Sequence, residues 1–204
     1  MVSEENLNNN PEISEDLDRI LEKIQSPDEL LEFMEESLEY GYVGKESHKI
    51  ISIKDPDFDK DFDKEYFLQT PEQLIVSRHG VCWDQVELER RWFSKMNYIF
   101  KVYFLMFGEQ EVDSLPTHTF LVYKNASKFY WFENSFAAQR GIHGYRDLES
   151  LFEDVKGKQL EYAKRECGAI GCDSKEIIIL EYETPKFGSD TNEFINNILY
   201  KRFS

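Results

Sequence analysis

Three aromatic-rich runs lie close together in mid-chain and limit the folds open to this sequence. They are YIFKVYFLMF (98–107), HTFLVYK (118–124) and FYWFENSF (129–136), and each is dense in aromatic and β-branched residues, the mark of a strand. The last two are joined by a stretch around Lys124-Asn125-Ala126-Ser127-Lys128, short enough only for a hairpin. Ahead of them, WDQVELERRWFSKM (83–96) reads as a helix with Val86, Leu88, Trp92 and Phe93 toward the core. Beyond them, Tyr145 to Val155 reads as a helix and IIILEYE (177–183) as another strand. Asp190 and Glu193 are placed to cap a last helix running to about Arg202. Helices, then a helix followed by strands, then mixed elements indicate an α+β fold on an antiparallel sheet.

The first third has a different character. Residues 1–65 hold 20 Asp/Glu and 7 Lys/Arg, a net of −13, out of −16 for all 204 residues. After a polar start over residues 1–11, Ile13, Leu17, Ile20, Leu21 and Ile24 recur at helical spacing. Ser26-Pro27-Asp28-Glu29 then reads as an N-cap, a proline at the first helical position and a capping-box glutamate. That helix carries Leu30, Leu31, Phe33, Met34 and Leu38 and is expected to stop near Gly41. The expected organisation is an acidic helical extension (1–65) packed on a core domain (66–204).

This charge repels phosphate backbones and anionic bilayers, so neither nucleic acid nor a membrane surface is an expected partner. No run approaches the roughly 18 apolar residues of a membrane span, and the acidic start lacks the apolar stretch of a secretory signal. Three cysteines, an odd number, fit free thiols in a reducing, cytoplasmic compartment. The run DPDFDKDFDKE (55–65) alternates aspartates as calcium loops do. It has no glycine at the sixth position of any register and no glutamate at the twelfth. No phosphate-cradling glycine loop is present either, so no metal or organic cofactor is expected.

Arg78-His79-Gly80-Val81-Cys82-Trp83-Asp84 carries the strongest chemical signal. It sets a cysteine after a glycine-containing turn and at the start of a helix. A helix N-terminus presents unpaired N–H groups and about half a positive charge. Both favour a thiolate, and the same N–H groups can hold an oxyanion. Gly80 is expected to let a substrate carbonyl approach the backbone. A thiolate nucleophile needs a base, and the base needs an acceptor to orient it. His118 opens the second strand, on one face with Phe120 and Val122, and Glu133 and Asn134 close the third. A two-residue loop at Asn125-Ala126 makes paired residue numbers sum to 251, which sets His118 opposite Glu133. A three-residue loop sets it opposite Asn134. Directly opposed residues share a face with Cβ atoms ~5 Å apart. Either residue can be the acceptor, and an even loop favours Glu133.

Gly80-Val81-Cys82-Trp83, then His118-Thr119-Phe120 opening a strand, then an acidic residue at the next strand's end, resembles the transglutaminase-like superfamily. The resemblance covers roughly residues 75–140. It implies a papain-like core, a helix bearing the cysteine packed on an antiparallel sheet, with Cys82 as nucleophile and His118 as general base. The third role falls on Glu133, where that family usually has aspartate, with Asn134 beside it as the alternative. The chemistry implied is acyl transfer or hydrolysis at an amide or peptide bond through a thioester, on a protein or peptide substrate. The family also contains inactive interaction modules, the competing reading, and a related group transfers acyl groups to small arylamines. Trp83 and His79 are candidates to flank the substrate. Gly141 to Tyr145, with His143, reads as a rim loop. Cys167 and Cys172 are too few for a zinc site.

Overall fold

The computed structural model describes residues 11–108, 116–166 and 176–200. In chain order, helices α1 (Pro11–Lys23) and α2 (Pro27–Ser37) precede a small hairpin of β1 (Gly41–Val43) and β2 (Ile50–Ser52). A single turn, α3 (Phe62–Glu65), and α4 (Pro71–Ser77) lead into α5 (Cys82–Lys95). Then come β3 (Ile99–Phe107), β4 (His118–Asn125), β5 (Lys128–Glu133), β6 (Gly141–Tyr145), α6 (Leu148–Glu166), β7 (Ile177–Glu181) and α7 (Thr191–Tyr200). Strands β3 to β6 form an antiparallel meander, and α6 carries the chain back so that β7 pairs with β3.

The sheet is covered on both faces. Leu121, Tyr123 and Phe132 look toward α5, α1 and α2. Phe120, Val122 and Trp131 look toward Leu151 and Val155 of α6. Leu17, Leu21, Leu30 and Met34 from the acidic helices share one core with Trp92 and Phe93 of α5. The Trp92 indole N–H donates to the Ile24 carbonyl at 3.1 Å, and Arg91 pairs with Asp18 at 3.1 Å.

Several boundaries differ from the sequence expectation, each for a local reason. Ser26 accepts from the Glu29 N–H (3.2 Å), but the Glu29 carboxylate reaches back to the Gln25 N–H (2.8 Å). Helix α2 ends at Ser37, before Gly41, because Gly41 opens the β1–β2 hairpin. The acidic third therefore holds a hairpin and α3 as well as two helices. Third-strand pairing stops at Glu133, not Phe136, because the Glu133 carboxylate turns back to the Phe136 N–H (2.7 Å) and the Ser135 hydroxyl (3.0 Å). Gly141 to Tyr145 is the edge strand β6, not a loop. Helix α6 starts three residues after Tyr145 and runs past Val155 to Glu166, because Gln159 and Ala163 continue its buried stripe. At α7 the Asp190 and Glu193 side chains cap each other's N–H groups as expected. Arg202, Cys167 and Cys172 lie outside the described residues.

Candidate active site

Helix α5 begins at Cys82. Its start is fixed by Asp84, whose carboxylate accepts from the Val81 N–H (2.9 Å), the Gln69 N–H (2.9 Å) and the Tyr66 hydroxyl (3.1 Å). Burial pushes Asp84 up to about 7, against those three donors. The turn before the helix is strained: Arg78, at the end of α4, has φ 58°, a left-handed backbone that glycine usually takes. In the first turn of α5 the N–H groups of Cys82 and Trp83 have no intrahelical acceptor.

Gly80 has a packing role. A Cβ on it would lie 2.5 Å from Leu74 Cδ1 and 3.0 Å from Asp84 Cβ. Closing that space would press α4 against α5, so Gly80→Ala is expected to cost about 1–3 kcal/mol, as overpacking does. Thermal unfolding of the variant measures it. A stability equal to wild type would mean the turn has slack.

His118 is 5% exposed, and its ring Nε2 donates to Glu133 Oε2 at 2.7 Å. The Trp131 indole N–H donates to the same oxygen at 3.1 Å. Cys82 lies close enough to His118 to raise its pKa, and Nδ1 is the nitrogen Glu133 leaves free. Burial works against a charge on His118, but Glu133 and then Cys82 outweigh it and push the imidazole up to about 10. Burial likewise opposes a charge on Glu133. His118, the Phe136 N–H and the Ser135 hydroxyl outweigh it and hold the carboxyl below its ordinary range.

The hairpin register is not the one expected. Asn125 pairs with Lys128 and Leu121 with Phe132, so paired numbers sum to 253 and the loop is Ala126-Ser127. Glu133 is thus the diagonal neighbour of His118. Sums of 251 and 253 have the same parity, so both side chains stay on one face, and diagonal neighbours remain within reach of long side chains. Asn134 falls on the opposite face. Its amide N–H donates to Gln85 Oε1 at 2.7 Å, and Gln85 in turn donates to the Gly80 carbonyl at 2.8 Å.

The two residues expected to flank a substrate are placed otherwise. Trp83 is 3% exposed and stacks on Phe194 of α7 at 4.0 Å, so its ring faces the core. His79 donates from Nδ1 to the Ser77 carbonyl at 2.9 Å, with Nε2 3.8 Å from Glu39, so it braces the turn. His143, on β6, packs over Trp131 and donates to the Gln139 carbonyl.

Three residues beside the site carry no local sequence signal as site groups. Tyr40 puts its hydroxyl 3.9 Å from Cys82 Sγ from 42 residues upstream. Gln85 and Glu89 share a face of α5 with Cys82, at spacings of three and seven, and only that periodicity could have marked them. Glu89 is buried, and its Oε2 has no partner among the described residues. Burial, then the nearby Glu133, pushes its carboxyl well above the ordinary range. Among the described residues no group of three or more His, Cys, Asp or Glu side chains could hold a metal ion.

A helix that starts at a cysteine and packs on an antiparallel sheet, whose strands bring a histidine and a carboxylate to the thiol, is a transglutaminase-like arrangement. A family model described as a transglutaminase-like domain matches residues 10–138, and the chain belongs to that family. No curated protein matches the chain. Among the described residues no helix is long and apolar enough to cross a membrane.

Proposed function

We propose that this protein is a cysteine-dependent acyl-transfer enzyme acting on amide or peptide bonds of protein or peptide substrates through a thioester. One observation carries the reading: a buried imidazole fixed to a carboxylate at 2.7 Å, with its other nitrogen left for a thiol at a helix N-terminus. In this reading Cys82 reacts as the thiolate of a pair whose proton rests on His118 Nδ1. Sulfur attacks the carbonyl carbon, and the carbonyl π pair moves to oxygen. Collapse breaks the C–N bond and expels the amine, which takes the proton from Nδ1. Neutral His118 then removes a proton from water or an amine as that group attacks the thioester. The second collapse returns Cys82 as thiolate and His118 as imidazolium. Glu133 keeps the proton of the ring on Nε2 and stabilises its charge throughout. Asn134 is committed to Gln85, so the geometry favours Glu133 in the third role. A net charge of −16 and a free Cys82 thiol fit work on protein substrates in the cytoplasm.

The test is iodoacetamide alkylation, read cysteine by cysteine by mass spectrometry, in wild type and His118→Ala. Cys82 is expected to react at least tenfold faster than Cys167 and Cys172 at pH 7, and the substitution to remove that advantage. With His118 pushed up to about 10, the imidazolium persists through neutral pH, and the advantage fades above about pH 8.5 as ordinary thiols ionise as well. A Cys82 that reacts no faster than the other two, with or without His118, would favour a non-catalytic interaction module.

A further inference from the structure

Among the described residues, Tyr40 is the one side chain from the acidic N-terminal third in hydrogen-bond contact with the Cys82 sulfur. Its position is set by backbone bonds on either side of it and by one ring contact. After α2, the Glu39 N–H donates to the Arg78 carbonyl at 2.8 Å, and the Gly80 N–H donates to the Glu39 carbonyl at 3.2 Å. These two bonds join the chain beyond α2 to the strained turn that launches α5. The next residue is Tyr40, whose own carbonyl accepts from the Ile53 N–H at 3.1 Å. Its ring leans on Phe58, with centroids 6.2 Å apart. The phenol is therefore clamped from both sides beside the thiol. Tyr40 is partly buried, and burial, then Cys82, pushes the phenol well above its ordinary value of 10. It remains a proton donor at any working pH.

A carbonyl carbon joined to Cys82 sulfur carries its oxygen one bond beyond that carbon. A donor 3.9 Å from the sulfur lies within reach of that oxygen, provided it stands on the side where the helix N–H groups point. We propose that Tyr40 is a catalytic residue of the acyl-transfer reaction, donating its hydroxyl hydrogen to the oxyanion alongside the Cys82 backbone N–H. This rests on the acyl-transfer reading given above, and it makes the N-terminal third part of the active site. Tyr40's hydroxyl keeps its proton throughout: it strengthens a hydrogen bond as charge builds on oxygen and relaxes when the C–N bond breaks.

The proposal separates two reactions of one sulfur. Acylation by p-nitrophenyl acetate passes through a tetrahedral oxyanion, whereas alkylation by iodoacetamide displaces iodide at a saturated carbon and forms none. Both are measured on the full chain, in wild type and Tyr40→Phe, with acylation read as p-nitrophenolate release in single turnover with enzyme in excess. Tyr40→Phe keeps the ring and loses only the hydroxyl, and an unchanged unfolding transition shows that it folds. The acylation rate constant is expected to fall by about 10²–10³, as on removing one oxyanion donor, with the Cys82 alkylation rate unchanged within about twofold. Equal losses in both reactions would overturn the proposal and assign the phenol to the resting thiolate. Faster alkylation would overturn it by making Tyr40 a cover over the sulfur, and no change in either would leave the phenol without a chemical role. Failure of the underlying reading has its own signature: wild-type Cys82 alkylates with no advantage that depends on His118.

Discussion

Glu133→Gln is expected to lower the rate of Cys82 acylation by p-nitrophenyl acetate by about 10³–10⁴-fold, with the fold retained. The reason is in the hydrogen bonds around the carboxylate. Oε2 accepts from His118 Nε2 and Trp131 Nε1, while Oε1 accepts from the Phe136 N–H and the Ser135 hydroxyl. All four partners are donors, and a glutamine has only one oxygen to offer them. The Phe136 N–H belongs to the backbone and cannot turn away, so the glutamine oxygen stays there and its NH₂ faces His118. An NH₂ at that place needs an acceptor, and His118 can supply one only by moving its proton from Nε2 to Nδ1. That proton then points at the thiol, where the mechanism needs a lone pair. Trapping the wrong tautomer in this way is worth about 10⁴ in a serine-histidine-aspartate enzyme. A titration follows as well. The carboxylate is the first of the two groups that outweigh burial at His118, ahead of Cys82, so removing its charge should lower the imidazole from about 10. Following the ring by NMR against pH checks the sign. A variant with full acylation and an unmoved His118 titration would mean that Glu133 only fills space.

What the sequence revealed about this site, and what it hid, follows the range of each interaction. Capping is local, so Asp190 with Glu193 could be read from four residues. The Cys82 helix start could be read from the turn before it. The side-chain face of a strand depends only on parity, so His118 and Glu133 came out on one face although the register was off by two. The register itself depends on which residues turn. The left-handed loop residue is Ala126 at φ 52°, while Asn125, which favours that backbone, ends the strand. No composition signal points to an alanine there. Glu133 was legible as a strand-end carboxylate. That it would also terminate its strand was not, because its bonds to Ser135 and Phe136 form only once the chain has turned. The buried carboxyls Asp84 and Glu89 were hidden by the general expectation that charge faces water. Tyr40 was hidden by distance, since the two backbone bonds that place it link segments some 40 residues apart.

Trp83→Ala is expected to destabilise the protein by about 3–5 kcal/mol, the usual cost of deleting a fully packed tryptophan. At about 2–4 °C per kcal/mol for a chain of this size, that is a fall of roughly 6–20 °C in Tm. The contacts argue for the upper part of the range. Trp83 stacks on Phe194 with planes 5° apart, meets Tyr66 edge-on at 5.3 Å and lies 6.1 Å from Phe62. It therefore ties α7, α3 and the segment after α3 to the first turn of α5, and no small shift of one of these would close the cavity. Differential scanning calorimetry gives the loss directly. The same variant decides between a core and a groove at this position, because a tryptophan lining a substrate groove could be removed with little change in Tm and a large change in the reaction. If the core reading holds, the alkylation rate of Cys82 in the folded fraction changes less than the stability does. Asp84 would still anchor the helix start through Val81, Gln69 and Tyr66. The tryptophan beside the cysteine then sets how long the site survives heat, and the carboxylate two residues after the cysteine sets where its sulfur points.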